Sequence, residues 1–140
     1  MEAAFKNFKE IGIYLNMDKP DSPALAEKCI NYLIRHGFRI ALLEGQIRYP
    51  HEGVIYYPKN LFYRKPDCIL VLGGDGTLLF VARKVCFYSI PIFGINLGKL
   101  GFLTEGEASN YEDALKNLST GDYYIEERMM LSCSIKKENE

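Results

Sequence analysis

The sequence predicts an α/β fold, an open and mostly parallel sheet with helices against its faces, and three observations carry that expectation. Short apolar runs alternate with segments of helical periodicity in the order strand, helix, strand, which is the unit of a parallel sheet. The run Cys68–Leu72 carries no charge and passes directly into a glycine turn with a helical pattern behind it. A second glycine-bearing loop follows the run Pro91–Ile95 in the same position relative to its strand.

Ile11–Leu15 reads as the first strand and Asn16–Asp21 as the turn behind it. Ser22 followed by Pro23 marks a helix start, the hydroxyl capping free N–H groups while proline takes a position whose N–H goes unbonded in any case. Ala26, Cys29, Ile30, Leu33 and Ile34 give that helix one apolar face, and Gly37 ends it. Arg39–Leu43 is the next strand. Gln46–Pro66 contains Pro50, Pro58 and Pro66 without a clean period, and reads as a long connection with one irregular turn of helix. After the central strand and helix, Pro91–Ile95 is the fourth strand. Ser109-Asn110-Tyr111-Glu112 has the spacing of a capping box and opens a helix to about Leu118, closed by Gly121-Asp122. Tyr123–Ile135 is rich in strand-compatible residues and runs into the polar stub Lys136–Glu140. It reads as the first arm of a hairpin whose partner is missing, so truncation of a longer protein is expected.

At 140 residues, 48% hydrophobic and 25% charged, the chain has the size of one globular domain. Such a domain buries about two-thirds of its unfolded surface. Lys and Arg number 17 against 18 Asp and Glu, a net charge of -1, which leaves no basic excess to hold a nucleic-acid backbone or an anionic membrane. Partners are therefore expected to be small molecules or protein, with no nucleic acid and no membrane. Cys29, Cys68, Cys86 and Cys133 form no Cys-x-x-Cys pair and mostly lie in apolar periodic stretches, so they read as buried thiols of a reducing compartment. No segment approaches the length of a membrane span, and a cytoplasmic location is expected. His36 and His51 have no histidine or acidic partner at ligand spacing and read as surface residues, and no metal ligands are assigned.

The chemistry points to Gly73-Gly74-Asp75-Gly76-Thr77. Three glycines remove every Cβ around one acid, so the backbone turns sharply and a bulky ligand can approach the main chain. The first helical turn behind them presents free N–H groups and the positive end of the helix dipole, which suit a phosphate. An acid beside a phosphate cradle is the arrangement of phosphoryl transfer. Asp-Gly is also a hairpin signal, but Leu78, Leu79, Ala82, Val85 and Cys86 follow helical spacing, which a hairpin does not fit. In open parallel sheets ligands bind outside the carboxyl ends of strands, so this loop and Asn96–Glu105 would form two walls of one cleft.

Gly73-Gly74-Asp75-Gly76-Thr77, followed by Gly94-Ile95-Asn96-Leu97-Gly98-Lys99-Leu100-Gly101-Phe102-Leu103-Thr104-Glu105 and then Glu126-Glu127-Arg128-Met129-Met130-Leu131, resembles the N-terminal domain of the ATP-dependent NAD kinases. The first motif alone is shared with diacylglycerol and sphingosine kinases and, loosely, phosphofructokinases; the second is more specific. The resemblance implies a Rossmann-like three-layer domain of the NAD kinase/diacylglycerol kinase superfamily over residues 1–125. It further implies a crossover strand and the start of a truncated β-rich C-terminal domain over 126–140. It implies transfer of the γ-phosphate of ATP, or of a phosphate of polyphosphate, to the 2'-hydroxyl of the adenosine ribose of NAD. Mg²⁺ or another divalent cation assists, in a full-length protein that is a homo-oligomer.

Within that resemblance Asp75 matches the general base. Gly73, Gly74 and Gly76 match the glycines that bring main-chain N–H groups to phosphate, and Thr77 adds a hydroxyl or caps the helix. Asn96 opens the second loop, and Phe102 matches an aromatic near the adenine, a plain core residue being the alternative. Lys99 reads as a solvated lysine. Phe80 stands where bacterial members often carry a basic residue. The family's Asn-Glu or Asn-Asp pair lies in the C-terminal domain, and Asn139-Glu140, too close behind Arg128, reads as a turn. A lipid kinase, or a non-catalytic nucleotide-binding module, are the other classes the residues leave open.

Overall fold

The computed structural model describes residues 7–138, so Asn139-Glu140 lies outside the described residues. Six strands form one sheet: β1 (Glu10–Leu15), β2 (Arg39–Leu43), β3 (Val54–Tyr57), β4 (Cys68–Gly73), β5 (Ile92–Asn96) and β6 (Gly106–Glu107). Their spatial order is β3-β2-β1-β4-β5-β6, and every neighbouring pair is parallel. The chain builds outward from β1 to β3, returns to the middle, and builds outward the other way from β4. The loops that leave β1 and β4 therefore diverge, and a crevice opens at the carboxyl ends of those two strands.

A parallel sheet covered on both faces needs strands that are apolar on both sides. Successive residues of β1 and β4 accordingly enter opposite layers. Ile11, Ile13, Leu15, Leu70 and Leu72 pack beneath α1 (Ser22–Arg35) and α4 (Tyr111–Thr120), against Cys29, Leu33 and Leu115. Ile69 and Val71 face the other way, toward Phe62 and Tyr63 at α2 (Lys59–Phe62) and toward Leu78, Val81 and Val85 of α3 (Asp75–Val85). Helix, sheet and helix make the three expected layers. Among the described residues no helix is long and apolar enough to cross a membrane.

The first helix starts at Ser22, but its cap differs from the expected one. Asp21 is the N-cap, without a side-chain cap bond, and the Ser22 hydroxyl donates instead to the Asn16 carbonyl at 2.8 Å. Ser22 is fully buried, so its hydroxyl is spent on closing the β1–α1 turn. Gly37 ends the helix at φ +87, as its position predicts. Between Gln46 and Pro66 the expected turn of helix is α2, while β3 was not legible. As an edge strand it has half-buried side chains and an exposed Ile55, so it lacks the apolar run of a central strand. Gln46 grips the end of β1: its Oε1 accepts the Leu15 N–H at 3.1 Å and its Nε2 donates to the Leu15 carbonyl at 2.9 Å.

The fourth helix begins at Tyr111 behind a short 3-10 turn, Ala108–Asn110. The reciprocal cap belongs to that turn and is formed by Glu107 and Asn110, the Asn110 Oδ1 accepting the Glu107 N–H at 2.9 Å. Asn110 is the N-cap of the helix itself without a side-chain cap bond, and Ser109 and Glu112 do not form the expected box. The strand expected over Tyr123–Ile135 does not form. Residues 122–137 adopt neither helix nor strand, and 126–138 are exposed throughout; a strand needs a neighbour to satisfy its main-chain groups, and none of the six described strands pairs with this segment.

Cys29 and Cys68 are buried as expected, but Cys86 and Cys133 are exposed. Cys86 closes α3 on its solvent side, where helical periodicity alone does not separate the outer face from the inner one. Burial pushes the Cys29 thiol up to about 12 and raises the Cys68 thiol as well. The thiolate is the reactive form. A maleimide at pH 8 should therefore label Cys86 and Cys133 in the native protein and reach Cys29 and Cys68 only on unfolding; equal labelling of all four, followed by peptide mass spectrometry, would contradict this packing.

Candidate active site

The glycine turn stands at the carboxyl end of β4, where Gly73 is in register with Asn96 of β5 and its carbonyl accepts the Leu97 N–H at 3.0 Å. Gly74 is the N-cap of α3 in extended conformation, and the helical bonds begin with Leu78 N–H to the Gly74 carbonyl at 3.0 Å. The amides of Asp75, Gly76 and Thr77 precede that bond, in the part of a helix that has no intrahelical acceptors. Gly76 is exposed and a Cβ on it would meet nothing within 4 Å, so the turn is open on that side. The Thr77 side chain folds back over the turn and makes no capping bond. A Cβ on Gly73 would come within 2.6 Å of its Oγ1, and this contact leaves no room for any other residue at position 73.

The second loop leaves β5 at Asn96 and returns to the same strand, with Glu105 N–H donating to the Gly94 carbonyl at 2.8 Å. Asn96 is buried, and its Oδ1 accepts the Gly98 N–H at 2.9 Å, a local turn that starts the loop. Phe102 is 100% exposed, which removes the core alternative for it. Leu100 and, from α3, Leu79 are exposed as well, so the mouth of the site has an apolar rim.

The two loops meet at one carboxylate. Asp75 Oδ2 accepts the Phe102 N–H at 3.0 Å, and Oδ1 accepts the Leu103 N–H at 3.0 Å. A carboxylate offers about four lone-pair positions, so each oxygen keeps roughly one for a further donor. Gly73, Gly74, Asp75, Gly76, Thr77, Asn96 and Phe102 thus lie together at one edge of the sheet. Sequence reasoning missed the main chain of Leu103, because a backbone donor has no sequence signature. Phe80 packs toward the sheet: it stacks on Tyr14 of β1 at 5.7 Å between ring centroids, and Lys84 Nζ sits 5.4 Å from its ring centre.

Open helix amides beside a carboxylate, with an exposed aromatic ring on the facing loop, fit a phosphorylated nucleotide. Among the described residues no group of three or more His, Cys, Asp or Glu side chains is placed to hold a metal ion.

Residues 11–123 match the family described as the ATP-NAD kinase N-terminal domain. An NAD kinase of Clostridium botulinum (strain Kyoto / Type A2) is 41% identical over 128 residues, which cover 91% of this chain and 43% of that protein. One from Caldanaerobacter subterraneus subsp. tengcongensis is 37% identical over 134 residues, covering 94% of this chain and 46% of that protein. The crystal structure of yeast NADH kinase complexed with NADH superposes with a TM-score of 0.69 at 18% identity, over 81% of this chain and 36% of that one, and shares the fold. The chain spans a little under half the length of these two bacterial relatives. With the family matched over most of its residues, the chain belongs to the ATP-NAD kinases, whose N-terminal domain it carries.

Proposed function

We propose that the protein phosphorylates NAD, transferring the γ-phosphate of ATP, or a phosphate of polyphosphate, to the 2'-hydroxyl of the adenosine ribose. The observation that carries this reading is the Asp75 carboxylate seated on the Phe102 and Leu103 amides at the edge where both glycine loops end. On this reading Asp75 takes the proton of the ribose hydroxyl while that oxygen bonds to the γ-phosphorus and the bridge to the β-phosphate breaks. A positioned base contributes roughly 10²- to 10⁴-fold in rate. The open amides of Gly76 and Thr77 hold phosphate oxygens at the positive end of α3. Phe102 lays its free ring against the adenine. A divalent cation, Mg²⁺ or another, supplies neutralisation of phosphate charge when the triphosphate is bound.

Residues 1–125 are proposed as the nucleotide-binding half, and 126–140 as the start of a β-rich second half that supplies the far wall. The alternation of Met129, Leu131, Cys133 and Ile135 as one apolar face supports a strand that pairs there. The resemblance supports a cytoplasmic homo-oligomer for the full-length enzyme.

The apolar rim of Leu79, Leu100 and Phe102 is also what an acyl chain would require, which keeps a lipid kinase as the second reading. Incubating the full-length enzyme with Mg²⁺, a phosphoryl donor and either NAD or a diacylglycerol separates the two: NADP formation is expected, and a phosphorylated lipid as the only product would overturn the reading.

In the full-length enzyme Asp75→Asn should cut turnover by roughly 10²-fold or more while the protein still folds; full activity in this variant would remove Asp75 as the base. Phe102→Ala discards a ring that is wholly exposed, so stability should hold. Loss of base stacking, worth about 1–3 kcal/mol, should raise the KM for NAD roughly 10- to 100-fold, and an unchanged KM would exclude the adenine contact. The 140-residue chain assayed by itself should form no NADP above background, since one wall of the cleft cannot align both substrates; turnover typical of a small-molecule kinase would refute that.

A further inference from the structure

Thr104 and Gly101 lie on either side of the two amides that hold Asp75, and the mechanism above assigns neither a role. Thr104 is 8% exposed, and its Oγ1 accepts the Gly101 N–H at 3.2 Å. This bond closes a small ring of chain whose inner members are Phe102 and Leu103. With the ring closed, their consecutive N–H groups point to the same side, toward the two oxygens of Asp75. An extended chain would send them to opposite sides.

The other end of the threonine side chain is fixed as well. A Cβ on Gly94 would come within 2.9 Å of the Thr104 Cγ2, so the methyl group rests on the bare backbone of β5. Hydroxyl and methyl therefore do different jobs, one shaping the loop and the other seating it on the sheet. Gly101 sets how closely the loop can approach: a Cβ there would lie 2.3 Å from Asp75 Oδ1 and 2.7 Å from both Cγ and Oδ2. Any side chain at position 101 would push the carboxylate off its two donors.

We propose that Thr104 is a positioning residue for the phosphoryl transfer, acting through the Gly101 N–H to aim the paired amides that orient the Asp75 carboxylate. It touches neither substrate. The inference rests on the reading of Asp75 as the base. A misplacement of about 1 Å in a reacting group can cost roughly 10²-fold, which makes the geometry of this loop a kinetic matter.

The test is a set of variants of the full-length enzyme, Thr104→Val and Thr104→Ser, each in the parent and in the Asp75→Asn background, with kcat and KM for NAD measured in steady state. Thr104→Val keeps the shape and loses the hydroxyl. It should lower kcat about tenfold or more while KM moves by less than about threefold, and Thr104→Ser should restore most of the loss. In the Asp75→Asn background Thr104→Val should add no further loss, because the group it orients is already gone. Where Thr104→Val fails to fold, Thr104→Cys takes its place, its thiol being a weak acceptor for the Gly101 N–H, with the same expected pattern. Hydrogen exchange at the Phe102 and Leu103 amides should accelerate in Thr104→Val and remain slow in Thr104→Ser. An unchanged kcat in a folded Thr104→Val or Thr104→Cys, with Asp75→Asn fully impaired, overturns the positioning role alone. An equal fold-loss in the two backgrounds does so too. Full activity of Asp75→Asn removes the underlying reading instead.

Discussion

Two main-chain N–H groups of one loop, bonded to the carboxylate of another, are the contact on which the geometry of this site depends. Asp75 stands at the first position of α3, and Phe102 and Leu103 reach it from the loop behind β5. Neither loop could be placed by its own sequence to the accuracy that hydrogen bonds of 3.0 Å require. Their relative position is inherited from the sheet, where β4 and β5 lie side by side, about 4.8 Å apart, with Gly73 opposite Asn96. The carboxylate then ties the ends of what the sheet has already aligned.

The sheet can serve as that platform because it is apolar on both faces and filled from both sides. Leu70 and Leu72 go into one layer, Ile69 and Val71 into the other, so a shift of β4 by one residue would not expose a polar face but would mismatch every side chain in both layers. Gln46 holds the end of β1 beside the same crevice through both main-chain groups of Leu15. Rigid strands, with the chemistry confined to the turns beyond them, are the usual division of labour in folds of this kind.

The apolar rim has the opposite character. Among the described residues the Phe102 ring is wholly exposed, and Leu100 and Leu79 leave about half of their surface to solvent. A ring so exposed contributes nothing to the core, which is why the proposed function assigns it a ligand. The extended segment that carries Met129 and Leu131 has the same property on a larger scale, with apolar side chains on a backbone that pairs with nothing among the described residues.

The amino-acid sequence by itself determined the order of the central elements and which acid stands at the turn between β4 and α3. The uncharged run into Gly73, the helical spacing behind Asp75 and the second glycine loop are local patterns, governed by backbone sterics and by the repeat of the side chains. They were legible without coordinates. Only the tertiary structure decided what depends on neighbours distant in the chain: that Val54–Tyr57 is a strand because β2 offers it an edge. It also decided that residues 123–135 form no strand and that Cys86 faces outward. The donors to Asp75 belong to the same group, since they are backbone amides. A main-chain N–H is identical at every residue but proline, and packing alone determines which of them meet a given carboxylate.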